Sequence, residues 1–325
     1  MAKILIIGGG GMVGQKFAAS LAGAPLTGPS DQITLFDLAF PDDGADADAR
    51  ITGNVNDPFA IKSLVEARPD FIFHVASIVS GEAESNFNLG WDVNGHAFWA
   101  FLEAVRAEHL ASEEAWRPRV VFTSSIAVFG APYPDKIDDE FLSAPQTSYG
   151  AQKAISELLI NDYSRKGFID GLSIRLPTIC VRPGKANLAA SSFFSGIIRE
   201  PLNGVEAPLP VPTDVRHWHA SPRSAARFLR HAGTLDLEMV GSRRALNLPG
   251  VSCTVEEQID ALRDIAGNDV AALIRTKPDE AIMRIVRGWP RDFEPKRALD
   301  LGFRAESNFH EIIQTYIDDD LPKQC

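Results

Sequence analysis

A glycine loop joining the first apolar run to the first helix constrains this chain more than any other feature. Lys3-Ile4-Leu5-Ile6-Ile7 ends at Gly8, as a buried parallel strand does, and Gly11 and Gly14 follow before a helical pattern from Gln15 to Leu21. The first glycine permits a tight turn, the second lets a pyrophosphate approach the backbone, and the third lets the helix pack closely. The helix start then offers unpaired amides to phosphate oxygens. Glycine spacing alone is a weak signal, since a glycine-rich turn before an ordinary surface aspartate reads the same way. It strengthens because the next strand, Ile33-Thr34-Leu35-Phe36, ends at Asp37. That carboxylate can accept both adenosine ribose hydroxyls and repels a 2′-phosphate, which favours NAD over NADP.

The strand-helix order repeats. Ile51, a helix around Ala60 to Glu66, the run Phe71-Ile72-Phe73-His74-Val75, a helix from about Asp92 to Glu108 and the run Arg119-Val120-Val121-Phe122-Thr123 follow in turn. A helix from Ser148 to Lys166 and the strand Gly171 to Leu176 complete the series. Such alternation implies right-handed crossovers, an α/β class and a doubly wound, mostly parallel sheet that binds its ligand beyond the strands' carboxyl ends. Beyond Pro177 the texture changes. Pro183, Pro201, Pro208, Pro210, Pro212 and Pro222 cut the chain into short pieces, with helices expected at Ser192 to Arg199, Arg223 to Ala232, Val255 to Ala266 and Phe309 to Ile317. The expectation is a nucleotide-binding domain over 1–177 and a smaller, mainly helical substrate region over 178–325, some of whose elements can return to the first domain.

Charge narrows the partners. Lys and Arg number 32 against 43 Asp and Glu, a formal net charge of -11, and Arg243-Arg244 is a pair rather than a patch. This field repels nucleic acid and anionic membrane surfaces while leaving room for a small anion in a pocket with its own arginines. Cys180, Cys253 and Cys325 have neither metal-ligand spacing nor a disulfide framework, which points to a reducing, cytoplasmic setting. No stretch reads as a signal peptide or membrane span. Asp42, Asp43, Asp46 and Asp48 read as a solvated loop. His217 and His219 lack an evident third ligand, so no metal is expected.

Tyr149 and Lys153 are four apart at the start of the helix from Ser148, so they share a face. An ammonium beside a phenol stabilises the phenolate and makes it a usable acid/base near neutrality. Ser125 ends the preceding strand on the same sheet edge, where its hydroxyl can hold the reacting oxygen. A Tyr/Lys pair at this spacing is more often surface decoration, and Ser-Ser after a strand is more often a turn. Their joint occurrence after the glycine loop carries the chemical reading. No Gly-X-Ser-X-Gly elbow is present, which argues against a hydrolase.

These residues resemble the extended short-chain dehydrogenase/reductase superfamily over nearly the whole chain. The matching pieces are Gly8 to Gly14, Asp37, His74-Val75-Ala76-Ser77, Thr123 to Gly130, Tyr149-Gly150-Ala151-Gln152-Lys153 and Arg175-Leu176-Pro177-Thr178. The resemblance implies a Rossmann-type fold with one NAD, and Ser125, Tyr149 and Lys153 as catalytic residues. It assigns Gly8, Gly11, Met12 and Val13 to the pyrophosphate, Asp37 and Leu38 to the adenosine ribose, and Asn54 and Val55 to the adenine. Val75, Ala76, Lys153 and Pro177 fall along the nicotinamide half. It also implies a homodimer through the helices near Asp92 and Ser148. Three positions depart from the pattern: Asn54 where relatives usually have Asp, Asp92 where they usually have Asn, and Phe129 where Tyr is common.

A narrower resemblance, carried by Arg175 to Lys185, Ala190 to Glu200 and Arg216 to Arg223, is to the D-erythronate dehydrogenase family. It implies NAD-dependent oxidation of the C2 hydroxyl of this four-carbon sugar acid. Arginine's planar fork suits the carboxylate, making Arg182, Arg216 and Arg223 candidates, while Ser77, Ser80 and Asn187, with Ser125 and Tyr149, can address hydroxyls. Arg223 reads equally well as a surface ion pair. Trp218 reads as a packed anchor and His74 as a hydrogen-bonded core residue. The competing readings are an NAD-dependent nucleotide-sugar epimerase or dehydratase, and a noncatalytic NAD sensor that would not need Tyr149 and Lys153.

Overall fold

The first apolar run becomes an interior strand of a parallel sheet in the computed structural model, which describes residues 1–184 and 190–321. The chain runs β1 (Lys3–Ile7), α1 (Met12–Gly23), β2 (Gln32–Asp37), β3 (Ala49–Thr52), α2 (Pro58–Glu66), β4 (Phe71–His74), α3 (Ser80–Ser85) and α4 (Phe87–Gly90). A π-helical turn, Trp91–His96, leads into α5 (Ala97–Ala111), β5 (Arg119–Ser125), a 3-10 turn (Ile126–Val128), α6 (Ser148–Arg165), β6 (Asp170–Leu176) and β7 (Thr178–Ile179). Then come α7 (Ser192–Leu202), β8 (Ala207–Leu209), β9 (Arg216–Ala220), α8 (Pro222–Thr234), α9 (Leu237–Val240), β10 (Ala245–Asn247) and β11 (Val251–Thr254). The last elements are α10 (Val255–Ala266), α11 (Asn268–Ala271), β12 (Ile274–Thr276), α12 (Glu280–Arg287), α13 (Lys296–Asp300) and α14 (Phe309–Asp319).

The chain divides into two units, neither continuous. The first comprises 1–128, 145–176 and 225–247; the second comprises 129–144, 177–224 and 248–325. In the first unit seven strands pair in the order β10-β6-β5-β4-β1-β2-β3, all parallel, with β1 between β2 and β4. Strand order reverses at β1, so β1 and β4 diverge toward separate crossovers at their carboxyl ends, where such sheets take their ligand. Ile7, Phe36, Ile72 and Phe122 from the strands pack with Leu64 of α2, Phe98 and Phe101 of α5 and Ile160 of α6. Phe17 of α1 meets Phe73 of β4 at 4.5 Å between ring centres. Among the described residues, no helix is long and apolar enough to cross a membrane.

The second unit holds a three-stranded sheet, β11-β9-β7, and the pair β12-β8. Phe194 and Ile198 of α7, Val255 and Leu262 of α10, and Phe309 and Ile313 of α14 share its core. The segment beyond Pro177 is richer in strands than its proline texture predicts. His217 to Ala220 are all buried, so β9 shows no alternation, and three-residue strands are too short to carry a period. The helix expected from Asp92 begins instead as the π-helical turn.

Residues 225–247 join the first unit through the pairing of β10 with β6 and through a side chain at the far end of the sheet. Arg119, at the start of β5, donates to Asp170 of β6 from Nε (3.2 Å) and Nη2 (2.9 Å), and Nη1 reaches the carbonyls of Ala232, Gly233 and Leu235 at 2.9–3.1 Å. It thereby satisfies the end of α8 while anchoring that helix to the sheet edge. Arg119→Ala is expected to lower stability by about 3 kcal/mol, since it removes the less exposed cation from a part-buried carboxylate and takes the donor from three carbonyls. Arg117→Ala, which removes a more exposed partner of Asp170, should cost under about 1 kcal/mol. Urea unfolding of both checks this, and equal small losses would refute the anchoring role.

Candidate active site

The start of α6 fixes the geometry of the candidate proton-transfer residues. The Thr147 hydroxyl accepts from the Gly150 amide at 3.1 Å, capping the helix. A Cβ at Gly150 would lie 2.1 Å from the Ala127 carbonyl oxygen, so only glycine lets this first turn lie against the 3-10 turn that follows Ser125. The Ser125 hydroxyl accepts from the Ala127 amide at 3.1 Å and remains half-buried, as does Tyr149. One helical turn further on, Lys153 is buried. Its Nζ donates to the Thr123 carbonyl at 2.8 Å and sits 4.6 Å from the Phe122 ring centre and 5.5 Å from that of Tyr149. Burial pulls the amine down to about 7, with Glu157 acting in the opposite direction.

His74 closes β4 among the rings of Phe98, Phe101 and Phe122. Burial, with a smaller contribution from Lys153, pushes it down to about 3, so it is a neutral core residue near pH 7. The expected hydrogen bond is not seen at Nδ1, which is buried without a partner among the described residues. Asp92, the residue that stands where relatives usually have Asn, is exposed and paired with His96 at 3.4 Å. The structural asparagine is Asn94. It is buried, accepts from the Ile78 amide (2.8 Å) and the Ser77 hydroxyl (3.0 Å), and donates to the Ile78 carbonyl (3.1 Å) and to Gln152 (2.8 Å). It thus ties the loop after β4 to α6, and the side chain that sequence reasoning missed stands two positions beyond the one singled out.

The glycine loop has the donor set a dinucleotide needs. Gly8 takes φ +93, and a Cβ there would fall 2.4 Å from the Ala76 amide nitrogen, so the loop lies directly against the end of β4. At the start of α1, Gly11 provides no side-chain cap and the first turn carries no acidic residue, leaving the amides of Met12 and Val13 without intrahelical partners. Asp37 accepts from Gly10 (2.8 Å) and Leu38 (2.7 Å), which holds its carboxylate between the loop and the end of β2. Asn54 accepts from the Asn56 amide at 2.9 Å through its side-chain oxygen, leaving its amide group to serve as the donor. Val55 follows it, Val75 and Ala76 both donate to the Ile7 carbonyl, and Pro177 is buried where the chain leaves β6. These residues fit a nicotinamide dinucleotide.

The substrate candidates divide. Ser77 is held by Asn94, and Ser80 opens α3. In the second unit, Arg182 donates from Nε to Ile179 (3.1 Å), Arg216 reaches Ser252 (3.1 Å) and Glu257 (3.2 Å), and Arg223 forks onto Asp319 (2.5 and 3.1 Å). Arg223 is therefore seen in the ion pair that competed with its ligand reading. Asn187 lies outside the described residues. His217 donates from Nδ1 to Pro290 (2.9 Å) and meets Thr178 through Nε2, while His219 meets Gln258 (2.9 Å). Among the described residues no three His, Cys, Asp or Glu side chains group as a metal site. Trp218 is buried and donates to Leu248 at 3.2 Å.

The NAD dependent epimerase/dehydratase family matches residues 4–219. A D-erythronate dehydrogenase of Cupriavidus necator is 44% identical over 98% of both chains. One of Haemophilus influenzae is 40% identical over 98% of this chain and 100% of its own. A solved structure described as a nucleoside-diphosphate-sugar epimerase from Agrobacterium tumefaciens shares 55% identity and a TM-score of 0.92, covering 98% of this chain and 94% of its own. The resemblances drawn from the motifs are borne out.

The buried amine makes a stability prediction. Between pH of about 7 and 10.5 the unfolded chain keeps a proton that folded Lys153 has lost, so its contribution to stability rises with pH across that window and is least favourable below it. Lys153→Met should therefore resist urea better than the parent at pH 6–7, with the advantage closing toward pH 10. A difference that stays constant with pH would show that this amine is not the buried charge.

Proposed function

The chain belongs to the NAD dependent epimerase/dehydratase family, and from that premise we propose that it oxidises the C2 hydroxyl of D-erythronate to 2-dehydro-D-erythronate. The observation that carries the substrate is the end-to-end likeness to two proteins named for that activity. The enzyme is an NAD-dependent oxidoreductase acting on a sugar acid.

When bound, NAD accepts the hydride that leaves C2. The chain's own residues do the rest. Gly8, Gly11, Met12 and Val13 hold the pyrophosphate, Asp37 and Leu38 the adenosine ribose, Asn54 and Val55 the adenine, and Val75, Ala76 and Pro177 the nicotinamide half. Asp37 selects NAD against NADP by repelling a 2′-phosphate. Ser125 orients the C2 hydroxyl through its own hydroxyl, and the Tyr149 phenolate oxygen takes the proton. The Lys153 ammonium favours the phenolate and positions the nicotinamide ribose. Ser77 and Ser80 address the remaining hydroxyls, and the carboxylate ligand is drawn from Arg182, Arg216 and Arg223. Held in this geometry, the alcohol is already oriented for both transfers.

The 55% identical structure, described as a nucleoside-diphosphate-sugar epimerase, favours a second reading in which the same three residues oxidise a sugar and then reduce it again. Net cofactor turnover separates the two. With NAD and D-erythronate, NADH absorbance at 340 nm is expected to rise, faster than with L-threonate, and Tyr149→Phe should lower kcat by at least ~100-fold with NADH binding intact. Absence of net NADH from any C4 acid, with nucleotide sugars epimerised, would replace the first reading by the second.

The cell compartment is proposed as cytoplasmic and the assembly as a homodimer through α5 and α6, which expose Trp99, Ile155 and Leu158. Leu158→Glu should convert the dimer to a monomer by light scattering. An unchanged mass would place the interface elsewhere.

A further inference from the structure

A second buried charge lies one helical turn beyond Lys153. Glu157 occupies the same face of α6, with its side chain 6% exposed, and is gripped from β6 by Arg175, itself 13% exposed. Arg175 Nε donates to Glu157 Oε1 at 2.9 Å and Nη2 to Oε2 at 2.7 Å. Ser124, the residue between Lys153's carbonyl partner and Ser125, donates its hydroxyl to Oε1 at 2.5 Å. Arg175 Nη1 in turn donates to Asn247 of β10 at 3.1 Å. The carboxylate is therefore held by a planar fork and a hydroxyl from two neighbouring strands.

We propose that Glu157, clamped by Arg175 and Ser124, is the counter-ion that keeps Lys153 in its ammonium form during proton transfer. It is a positioning residue, touching neither substrate nor cofactor. The proposal rests on the assignment of Tyr149 and Lys153 above. An ammonium stabilises a tyrosinate; a neutral amine does not, and burial favours the neutral amine. Among the described residues, the other groups seen against Lys153 supply no negative charge. From β5 come the Thr123 carbonyl and the Phe122 ring, from β4 the neutral His74, and from α6 the Tyr149 phenol. Glu157 is the charge that opposes burial at this amine. Arg175 partly neutralises that charge, so the two members of the pair push Lys153 in opposite directions.

Opposed signs provide the test. Glu157→Gln should move the alkaline limb of the kcat/KM profile toward acid by roughly one pH unit, because Lys153 loses its proton sooner. Arg175→Gln, which leaves the carboxylate unneutralised, should move the same limb toward alkali. A cofactor-free readout runs in parallel: in urea unfolding, the pH at which stability begins to rise should fall in Glu157→Gln and climb in Arg175→Gln. Neither shift should appear when Lys153 is Met. If a single variant does not fold, Glu157→Gln/Arg175→Met removes both charges and should still show the acid shift. Limbs that stay in place, or that move the same way in both variants, would overturn the proposal and leave the pair a purely structural clamp. If the parent oxidises no C4 acid, the activity reading fails alone, and the unfolding series still decides the role of Glu157.

Discussion

A primary amine held away from water beside a phenol is the constraint that the rest of the first unit serves. Lys153 donates to one carbonyl, lies over one aromatic face and has a carboxylate one turn away. Each of these groups comes from a different need of the fold. The carbonyl belongs to the end of β5, where the strand gives way to the turn that presents Ser125. The ring of Phe122 also packs against Phe98 at 4.5 Å and so belongs to the core. The amine is thus fixed by strand, core and helix together, and moving any one of them would change both its position and its charge.

The same economy holds along the sheet's carboxyl edge. Asn94 is placed by the π-helical turn, which fits an extra residue into one turn and shifts the phase of the helix beyond it. That shift brings a polar side chain inward, where it binds the loop after β4 and the Gln152 amide of α6. Gly150 brings the other end of α6 against the turn after β5. Two close contacts, one polar and one steric, thereby fix the helix that carries Tyr149 and Lys153.

The local parts of this arrangement were legible in the sequence. A strand ending in glycines, an acidic residue closing the next strand, and a tyrosine four residues before a lysine each express their geometry within one element, so spacing suffices. Asn94 was not legible because a regular 3.6-residue period cannot register a π turn, and Asp92 looked equally placed. The return of residues 225–247 was hidden because β10 has three residues, too few to carry a period, and it pairs with β6 far earlier in the chain. Glu157 was hidden for another reason: a carboxylate four residues after a lysine on a helix reads as a solvated ion pair, and only the packing of β6 against α6 shows it to be enclosed.

That enclosure bears on why the pair is ionic. A buried salt bridge is a poor source of stability, since desolvating both charges offsets most of their attraction and apolar residues of similar size often do as well. On stability alone, an apolar set that also replaced the hydrogen-bonding side chains of Ser124 and Asn247 could fill this place. What apolar residues could not supply is a fixed negative charge one turn from an ammonium that burial tends to neutralise. The fork of Arg175 is what makes that charge tolerable inside the protein, and Asn247 holds the fork from a strand that the chain adds only after leaving the sheet and coming back. On the proposed roles of Tyr149 and Glu157, proton transfer depends on completion of the seventh strand. The discontinuity of the first unit thus has a chemical consequence: the residues that set the charge of the site are not all in place until the chain has returned to its first sheet.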